Sequence, residues 1–536
     1  MANLMITRRA LRRSFLPYVL VLTLILTGAC SSIGLAINPV DAPMEDGITN
    51  KSETLEQSTS GVSGVSAPVS VMAMNPMPAE PVLPPTFEGY NLNPITNTDE
   101  DHLSTFAMDV DTASYTLARG YLLGSNQLPP ADAIRTEEFI NYLPAQYTPP
   151  TDGSAFAIHL DASPSPFADE GKLLLRVGIQ GQQIAAEDRD PATLIFVIDI
   201  SGSMDAPNRL PMVRDTLTML VTQLRQDDQV GIVVYSDNAR VVLTPTPAND
   251  QQTILNAIAS LHPEGSTYAE AGLRLGYEVA REHLRQDGTT RVILLSDGVA
   301  NVGETGPEAI LQTIRQGVED GVTLSTIGFG MGTYNDVLME QLANDGNGSY
   351  FYVDTLREAR RVFVNNLTGT LQVIGYDAKI QVDFNPDVVS EYRLLGYENR
   401  AIADEDFRDD TVDAGEVGAG HSVTALYELT LKPNAQGVIA TAQIRYEDAE
   451  TRDVVEQAAD VSRDNLITSF DDAPVDFRVH AAMAELAELL RGSEFAVTGR
   501  YADVIAVVEP MGANDIYAVE IGQMAQAAQA LSPVAR

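Results

Sequence analysis

The 536-residue chain reads as an α/β protein: a doubly wound, mostly parallel, Rossmann-like sheet inserted in a β-sandwich, with an N-terminal α+β region and a C-terminal helical region. Three observations predict this. From residue 193 to 371, continuous apolar runs alternate with segments whose apolar residues recur every three or four positions, the pattern of strands buried on both faces and covered by helices. On both sides of that stretch apolar residues alternate at period two, as in half-buried strands. Beyond Pro474 the spacing returns to three and four, which marks helices with one apolar face.

Composition limits function before any motif does. The formal net charge is −40, so a nucleic-acid polyanion would be repelled. A single cysteine, Cys30, excludes an intrachain disulfide and a Cys-based zinc cluster. The six histidines are scattered and none belongs to an HExxH pair. What remains to an acidic, thiol-poor chain is oxygen chemistry, which suits a hard cation.

In chain order, residues 1–30 place Arg8, Arg9, Arg12 and Arg13 ahead of an apolar run from Phe15 to Leu26 and then small residues, the anatomy of an export signal. Leu26-Thr27-Gly28-Ala29-Cys30 resembles a bacterial lipobox, with Thr27 where that pattern prefers Leu. The resemblance implies cleavage before Cys30, lipid attachment to its thiol, and anchoring to the membrane on its extracytoplasmic face; an ordinary cleaved signal with a chance cysteine is the alternative. Arg12-Arg13-Ser14-Phe15-Leu16 resembles the twin-arginine pattern, so the general and twin-arginine routes both stay open. Residues 31–85, rich in Ser, Pro, Gly, Ala and Met without periodicity, cannot bury enough apolar area to offset ordering and are expected to be a disordered tether.

In the N-terminal region, 86–150, a strand is expected over STFAMDVD, a helix over TASYTLARGYLLGS and another through IRTEEFINYL. Asp109-Val110-Asp111-Thr112 approaches the aspartyl-phosphate pattern DxDx[TV], but Ala113 stands at its fifth position. A capping role for Asp111 or Thr112 at the helix start is the expected use. Strands at 156–160 and 173–179 occupy 151–190.

The domain at 191–372 opens with the apolar run Leu194-Ile195-Phe196-Val197-Ile198, followed by a helix carrying Leu210, Val213, Leu217, Leu220 and Leu224. Further strands are expected at 230–235, 292–295, 322–329 and 350–353, and helices near 250–261, 268–284, 306–320, 335–344 and 356–368. Ligands of such sheets bind at the carboxyl ends of the strands. There Asp199, Ser201 and Ser203 alternate after the first strand, Thr267 closes Gly265-Ser266-Thr267 before a helix, and Asp297 ends a later strand within Ser296-Asp297-Gly298.

These three elements together resemble the metal-ion-dependent adhesion site of the von Willebrand factor type A (VWA) family. Mg²⁺ takes oxygen ligands in an octahedron at about 2.0–2.1 Å and keeps bound water readily. The resemblance implies that Ser201, Ser203 and Thr267 ligate Mg²⁺ (or Mn²⁺ or Ca²⁺) directly, while Asp199 and Asp297 hold bound waters and balance charge. It further implies an open coordination position that accepts a carboxylate from a protein partner. Glu264 stands where related domains commonly carry glycine, and is expected to be a solvent-facing loop charge rather than an added ligand.

The likeness extends outward. Phe106-Ala107-Met108-Asp109-Val110-Asp111-Thr112-Ala113-Ser114-Tyr115, the turn Leu128-Pro129-Pro130, Glu137-Glu138-Phe139-Ile140-Asn141-Tyr142 and Ala403-Asp404-Glu405-Asp406-Phe407 with the DDTVDAGEVGAGHSVTALYEL that follows resemble YfbK-type bacterial VWA lipoproteins. In 373–470, strands at 378–384, 423–431, 439–446 and 454–461 are expected to join 156–160 and 173–179 in one sandwich. Asp404, Glu405, Asp406, Asp409, Asp410, Asp413 and Glu416 lack an EF-hand spacing and are expected to be a solvated loop rather than a Ca²⁺ site. In 471–536, Val479, Met483, Leu486 and Leu490 mark one helix of a packed cap and Tyr517, Ile521, Met524, Ala528 and Leu531 another.

The expected function is a membrane-anchored extracytoplasmic VWA protein that binds a divalent cation and, through it, an acidic group of a protein partner, in adhesion, scaffolding or envelope assembly. No nucleophile elbow, Walker loop or HExxH is present, so the chain is expected not to be an enzyme. The alternative is a metal-dependent hydrolase or phosphotransferase of the cell envelope, the latter acting through Asp109.

Overall fold

The computed structural model describes residues 85–532 apart from 109–110, 169–170, 299–306, 331–333, 413, 497–498 and 513–514. The expected signal, the tether up to residue 84 and lipidated Cys30, and the Asp109 of the phosphotransferase alternative, lie outside the described residues.

Two short strands, β1 (Thr96–Asn97) and β2 (Leu103–Ala107), precede helices α1 (Ala113–Arg119) and α2 (Thr136–Tyr142). Strands β3 (Phe156–Pro164) and β4 (Lys172–Gly181) then pair as an antiparallel hairpin. The helix expected over 112–125 is split: α1 gives way to a π-helical turn over Gly120–Gly124.

The inserted domain follows as β5 (Ala192–Asp199), α3 (Leu210–Val221), β6 (Gln229–Tyr235), β7 (Ala239–Pro247), α4 (Gln251–Ala259), α5 (Ala269–Glu282), β8 (Thr289–Ser296), α6 (Pro307–Glu319), β9 (Val322–Phe329), α7 (Asp336–Asn344), β10 (Tyr350–Val353), α8 (Leu356–Arg360) and α9 (Leu367–Leu371). Its sheet runs β10-β9-β8-β5-β6-β7, all parallel except β7. The central strand β5 is buried along its whole length, which is why it reads as an unbroken apolar run. Strand β7 has no such signature: its ARVVLTPTP lies on the sheet edge, exposed or half-buried except for Leu243.

After the domain come β11 (Val373–Phe384), β12 (Val389–Leu395), β13 (Val417–Gly418), β14 (Ser422–Leu431), β15 (Val438–Asp448) and β16 (Val454–Ser462). One sheet is ordered β1-β12-β14-β4-β3, and the other β13-β11-β15-β16 with β2 also on β11. Strand β14 pairs antiparallel with β4 from Ser422↔Gln180 to Thr430↔Lys172, so strands from before and after the α/β domain share a sheet, as expected of an insertion. Leu175, Val177, Ile179 and Tyr427 of that sheet share one apolar core with Ile380, Val382 and Ile444 of the other.

The chain ends in α10 (Val475–Arg491), α11 (Tyr501–Val508) and α12 (Ile516–Leu531). Val479, Met483, Leu486, Ile521 and Met524 pack with Tyr115, Phe139 and Tyr142, so the regions 86–150 and 471–536, expected to be separate, share one helical core. Their junction with the inserted domain is polar. The Arg119 guanidinium bonds Asp354 through Nε (2.8 Å) and Nη2 (2.5 Å) and Glu520 through Nη1 (2.9 Å).

The capping role expected of Asp111 or Thr112 is corrected here. Asp111 accepts the Tyr350 N–H (2.8 Å) and Arg400 Nη2 (2.8 Å). Thr112 occupies the N-cap position of α1 without a side-chain cap bond; its Oγ1 accepts from Arg361 instead (2.6 Å). These residues tie the N-terminal region to the inserted domain and to the loop before β13.

Among the described residues, no helix is long and apolar enough to cross a membrane.

Candidate metal centre

Strands β5 and β8 are adjacent and parallel, which brings the loops at their carboxyl ends together. Asp199, the last residue of β5, is fully buried. Its Oδ1 accepts the Ser201 N–H (2.9 Å), and its Oδ2 accepts the Ser296 hydroxyl (2.9 Å) and the Tyr235 hydroxyl (3.4 Å). The carboxylate thus anchors the turn that follows it. Ser201 Oγ and Ser203 Oγ lie 3.0 Å apart, and Ser203 Oγ donates to Asp297 Oδ1 (3.1 Å).

The Thr267 loop reaches this turn through its backbone. Gly202 N–H donates to Gly265 O (3.0 Å) and Glu264 N–H to Ile200 O (2.6 Å). Gly265 has φ +67°, and a Cβ there would meet Asp237 Oδ2 at 2.7 Å, so glycine is required on both counts. Asp237 accepts both the Ser266 N–H (2.9 Å) and its hydroxyl (2.5 Å), fixing the turn from below. Thr267, half-buried, follows one residue later. Glu264 points outward to Arg240 and is no part of the cluster, in keeping with a surface role.

Four of the five expected ligands, Asp199, Ser201, Ser203 and Asp297, therefore form one connected set, and Thr267 stands on the loop held against it. Four contributors were missed from sequence, Asp237 under the Thr267 loop being one. Ser296 and Tyr235 hold Asp199, and Arg209 ion-pairs with Asp297 Oδ2 (2.6 Å) while donating to Ser203 O (2.5 Å). Ser296 could have been read from its place beside Asp297 at a strand end; nothing in the sequence singles out Arg209.

Burial, and then the neighbouring Asp297, push the Asp199 carboxyl up to about 6, against the lowering effect of its Ser201 hydrogen bonds. Burial also raises Asp297, restrained by Arg209. Burial thus raises both carboxyls, and at Asp199 the charge of Asp297 adds to it.

The donor set fits a small hard cation. Octahedral bonds of about 2.1 Å put neighbouring oxygens about 3.0 Å apart, and the two serine hydroxyls have that 3.0 Å separation. Among the described residues no group of three or more His, Cys, Asp or Glu is gathered for a metal. The candidate centre is of another kind, two carboxylates with three hydroxyls.

A parallel sheet with an antiparallel edge strand, and an Asp-x-Ser-x-Ser turn at the end of its central strand, define the class: this is a VWA-domain protein. The von Willebrand factor type A domain model matches residues 193–365, and models described as von Willebrand factor and as Uncharacterized protein YfbK, C-terminal match 84–175 and 369–462. The chain belongs to the YfbK family. It is 35% identical over 433 residues to Uncharacterized protein YfbK of Escherichia coli (strain K12), covering 76% of this chain and 74% of that one. Inter-alpha-trypsin inhibitor heavy chain H3 of Mesocricetus auratus is 31% identical over 175 residues, 31% of this chain and 20% of that protein. Among solved structures, a von Willebrand factor type A protein from Catenulispora acidiphila aligns over 70% of this chain and 91% of its own, at 14% identity and TM-score 0.40.

Proposed function

We propose that the protein is a membrane-anchored, extracytoplasmic binding module that holds Mg²⁺ (or Mn²⁺ or Ca²⁺) at Asp199, Ser201, Ser203, Thr267 and Asp297 and, through that cation, an acidic group of a protein partner. The observation that carries the reading is the convergence of two hydroxyls and two buried carboxylates from separate loops on one point. A bound cation would supply an electrophile for a partner carboxylate. Ser201 and Ser203 provide neutral oxygens, and Asp199 and Asp297 acting through bound waters would leave the ion under-neutralised by its direct ligands. Asp199 positions the turn, Ser296 and Tyr235 hold Asp199, and Asp237 holds the Thr267 loop.

Anchoring rests on the lipobox-like residues ending in Cys30. Such a protein serves adhesion, scaffolding or assembly at the envelope, and its partner is recognised by a carboxylate rather than turned over. We read it as a non-enzyme, because the donor set offers no general base apart from its own ligands.

Calorimetry with Mg²⁺ or Mn²⁺ tests the centre: one site is expected in the wild type and none in Asp199→Ala or Asp297→Ala, and equal binding by all three would refute the assignment. Partitioning into detergent tests the anchor: Cys30→Ser is expected to leave the detergent phase, and retention there would remove it. A crosslinked pulldown from membranes, with EDTA as control, identifies the carboxylate-bearing partner.

A further inference from the structure

Arg209 is the residue just before α3 and the only guanidinium with a recorded ion pair to the two site carboxylates among the described residues. Its Nη1 stands 2.6 Å from Asp297 Oδ2 and 2.5 Å from Ser203 O, while Ser203 Oγ occupies Asp297 Oδ1. One positive group thus engages the backbone of one expected ligand residue and the carboxylate of another. The side chain is held in this pose by its surroundings. Its stem lies across Gly330, which has φ +71° and where a Cβ would meet Arg209 Nε at 2.6 Å and Cγ at 2.7 Å. With 16% of its side chain exposed, it has a route to solvent at the rim.

We propose that Arg209 is an internal counter-ion that competes with the divalent cation for Asp297, so that it sets the affinity of the centre and must swing away when the cation enters. The inference rests on the metal reading above. A guanidinium and a divalent cation cannot share Asp297 at hydrogen-bonding range without strong mutual repulsion in a site shielded from solvent. Asp297 then exchanges one positive partner for another. Bonds to charged groups contribute enough that surrendering the Arg209 pair should weaken cation binding about ten- to a hundredfold.

The test is calorimetric titration of Mn²⁺ into the full chain in detergent, for wild type, Arg209→Gln, Arg209→Lys and Asp297→Ala, with melting curves in EDTA and in Mn²⁺. Arg209→Gln is expected to bind Mn²⁺ about ten- to a hundredfold more tightly, with Arg209→Lys in between because lysine keeps the charge on a shorter, more flexible and more strongly hydrated side chain. In EDTA Arg209→Gln should melt below wild type, and Mn²⁺ should close the gap. Binding by Arg209→Gln alone, with wild type silent, supports the same conclusion. Equal or weaker binding by Arg209→Gln beside a wild type that binds overturns the competition and leaves the metal centre standing. Silence in both wild type and Arg209→Gln removes the metal reading and this inference with it. Should Arg209→Gln fail to fold, Arg209→Lys decides: tighter binding supports the proposal and unchanged binding overturns it.

Discussion

Asp199 and Asp297 at the ends of β5 and β8, and Asp354, Glu358 and Glu520 where the terminal helices meet the inserted domain, are comparably buried carboxylates with opposite fates. At the junction each acid has an arginine. Arg119 takes Asp354 and Glu520, Arg361 takes Glu358 (2.8 Å), and Arg357 adds a second ion pair to Glu520. The Tyr115 and Tyr142 hydroxyls donate to Glu520 (2.9 Å) and Glu358 (2.7 Å), so the cluster is saturated. At the candidate metal centre two carboxylates face one arginine and three hydroxyls. Buried acid alone is thus no mark of a cation site; the shortfall of arginine beside convergent hydroxyls is what the cation proposal rests on.

A third cluster shows another way to settle such a shortfall. Glu428 and Glu488 pair with Arg393 (3.0 Å each), but Glu485 beside them has a buried Oε1 without a hydrogen-bond partner among the described residues. Burial, then Glu488 and Glu428, push its carboxyl up to about 8, so a proton does there what an arginine does at the junction.

Breaking the saturated cluster should have the largest effect. Arg119→Ala takes the arginine from buried Asp354 and one of two from Glu520 and Glu358, and should cost about 3–5 kcal/mol in denaturant unfolding; a loss near zero would mean the junction is solvated. Next comes Glu485→Gln. The native state keeps this proton up to about pH 8 and the unfolded chain releases it near 4.5, so the wild type is most stable below 4.5 and loses stability as pH rises through 8. Melting curves should coincide at pH 4 and separate by pH 8.5, with the variant on the order of 1–3 kcal/mol more stable; parallel profiles would refute the proton.

Smaller again, Gly265→Ala should cost about 1–2 kcal/mol through its positive φ and should weaken Mn²⁺ binding by displacing Asp237 and the Thr267 loop. Unchanged affinity would detach that loop from the centre. Smallest is Glu264→Ala, the loss of an exposed pair with Arg240, expected within about 0.5 kcal/mol and without effect on Mn²⁺. A clear loss of affinity would return Glu264 to the site.

Much of this contrast was legible in the sequence on one side only. Strands buried on both faces announce themselves as apolar runs, so β5, β6, β9 and β10 fall within two residues of expectation at each end. Asp199, Ser201, Ser203 and Asp297 were found because each follows such a run. The edge strand β7 and the short helix α11 carry no comparable signal. Neither does the junction: Tyr115 and Glu520 meet across 405 positions, and no local spacing marks residues whose partner is chosen by tertiary packing. Arg209 was invisible for the same reason, since its meaning depends on Asp297 and Gly330.

The pairing of β4 with β14 also has a consequence for how the chain is made. About 240 residues, including the whole inserted domain, separate the two strands, and at 5–20 residues per second β14 leaves the ribosome about 10–50 s after β4. For that interval the β3–β4 hairpin presents Leu173, Leu175, Val177 and Ile179 without the strand that will cover its open edge. The inserted domain, whose six-stranded sheet draws every strand from 192–353, can fold first. The helix bearing Glu520 follows β14 by a further stretch of about 85 residues, and its ion pair with Arg119 forms only after that.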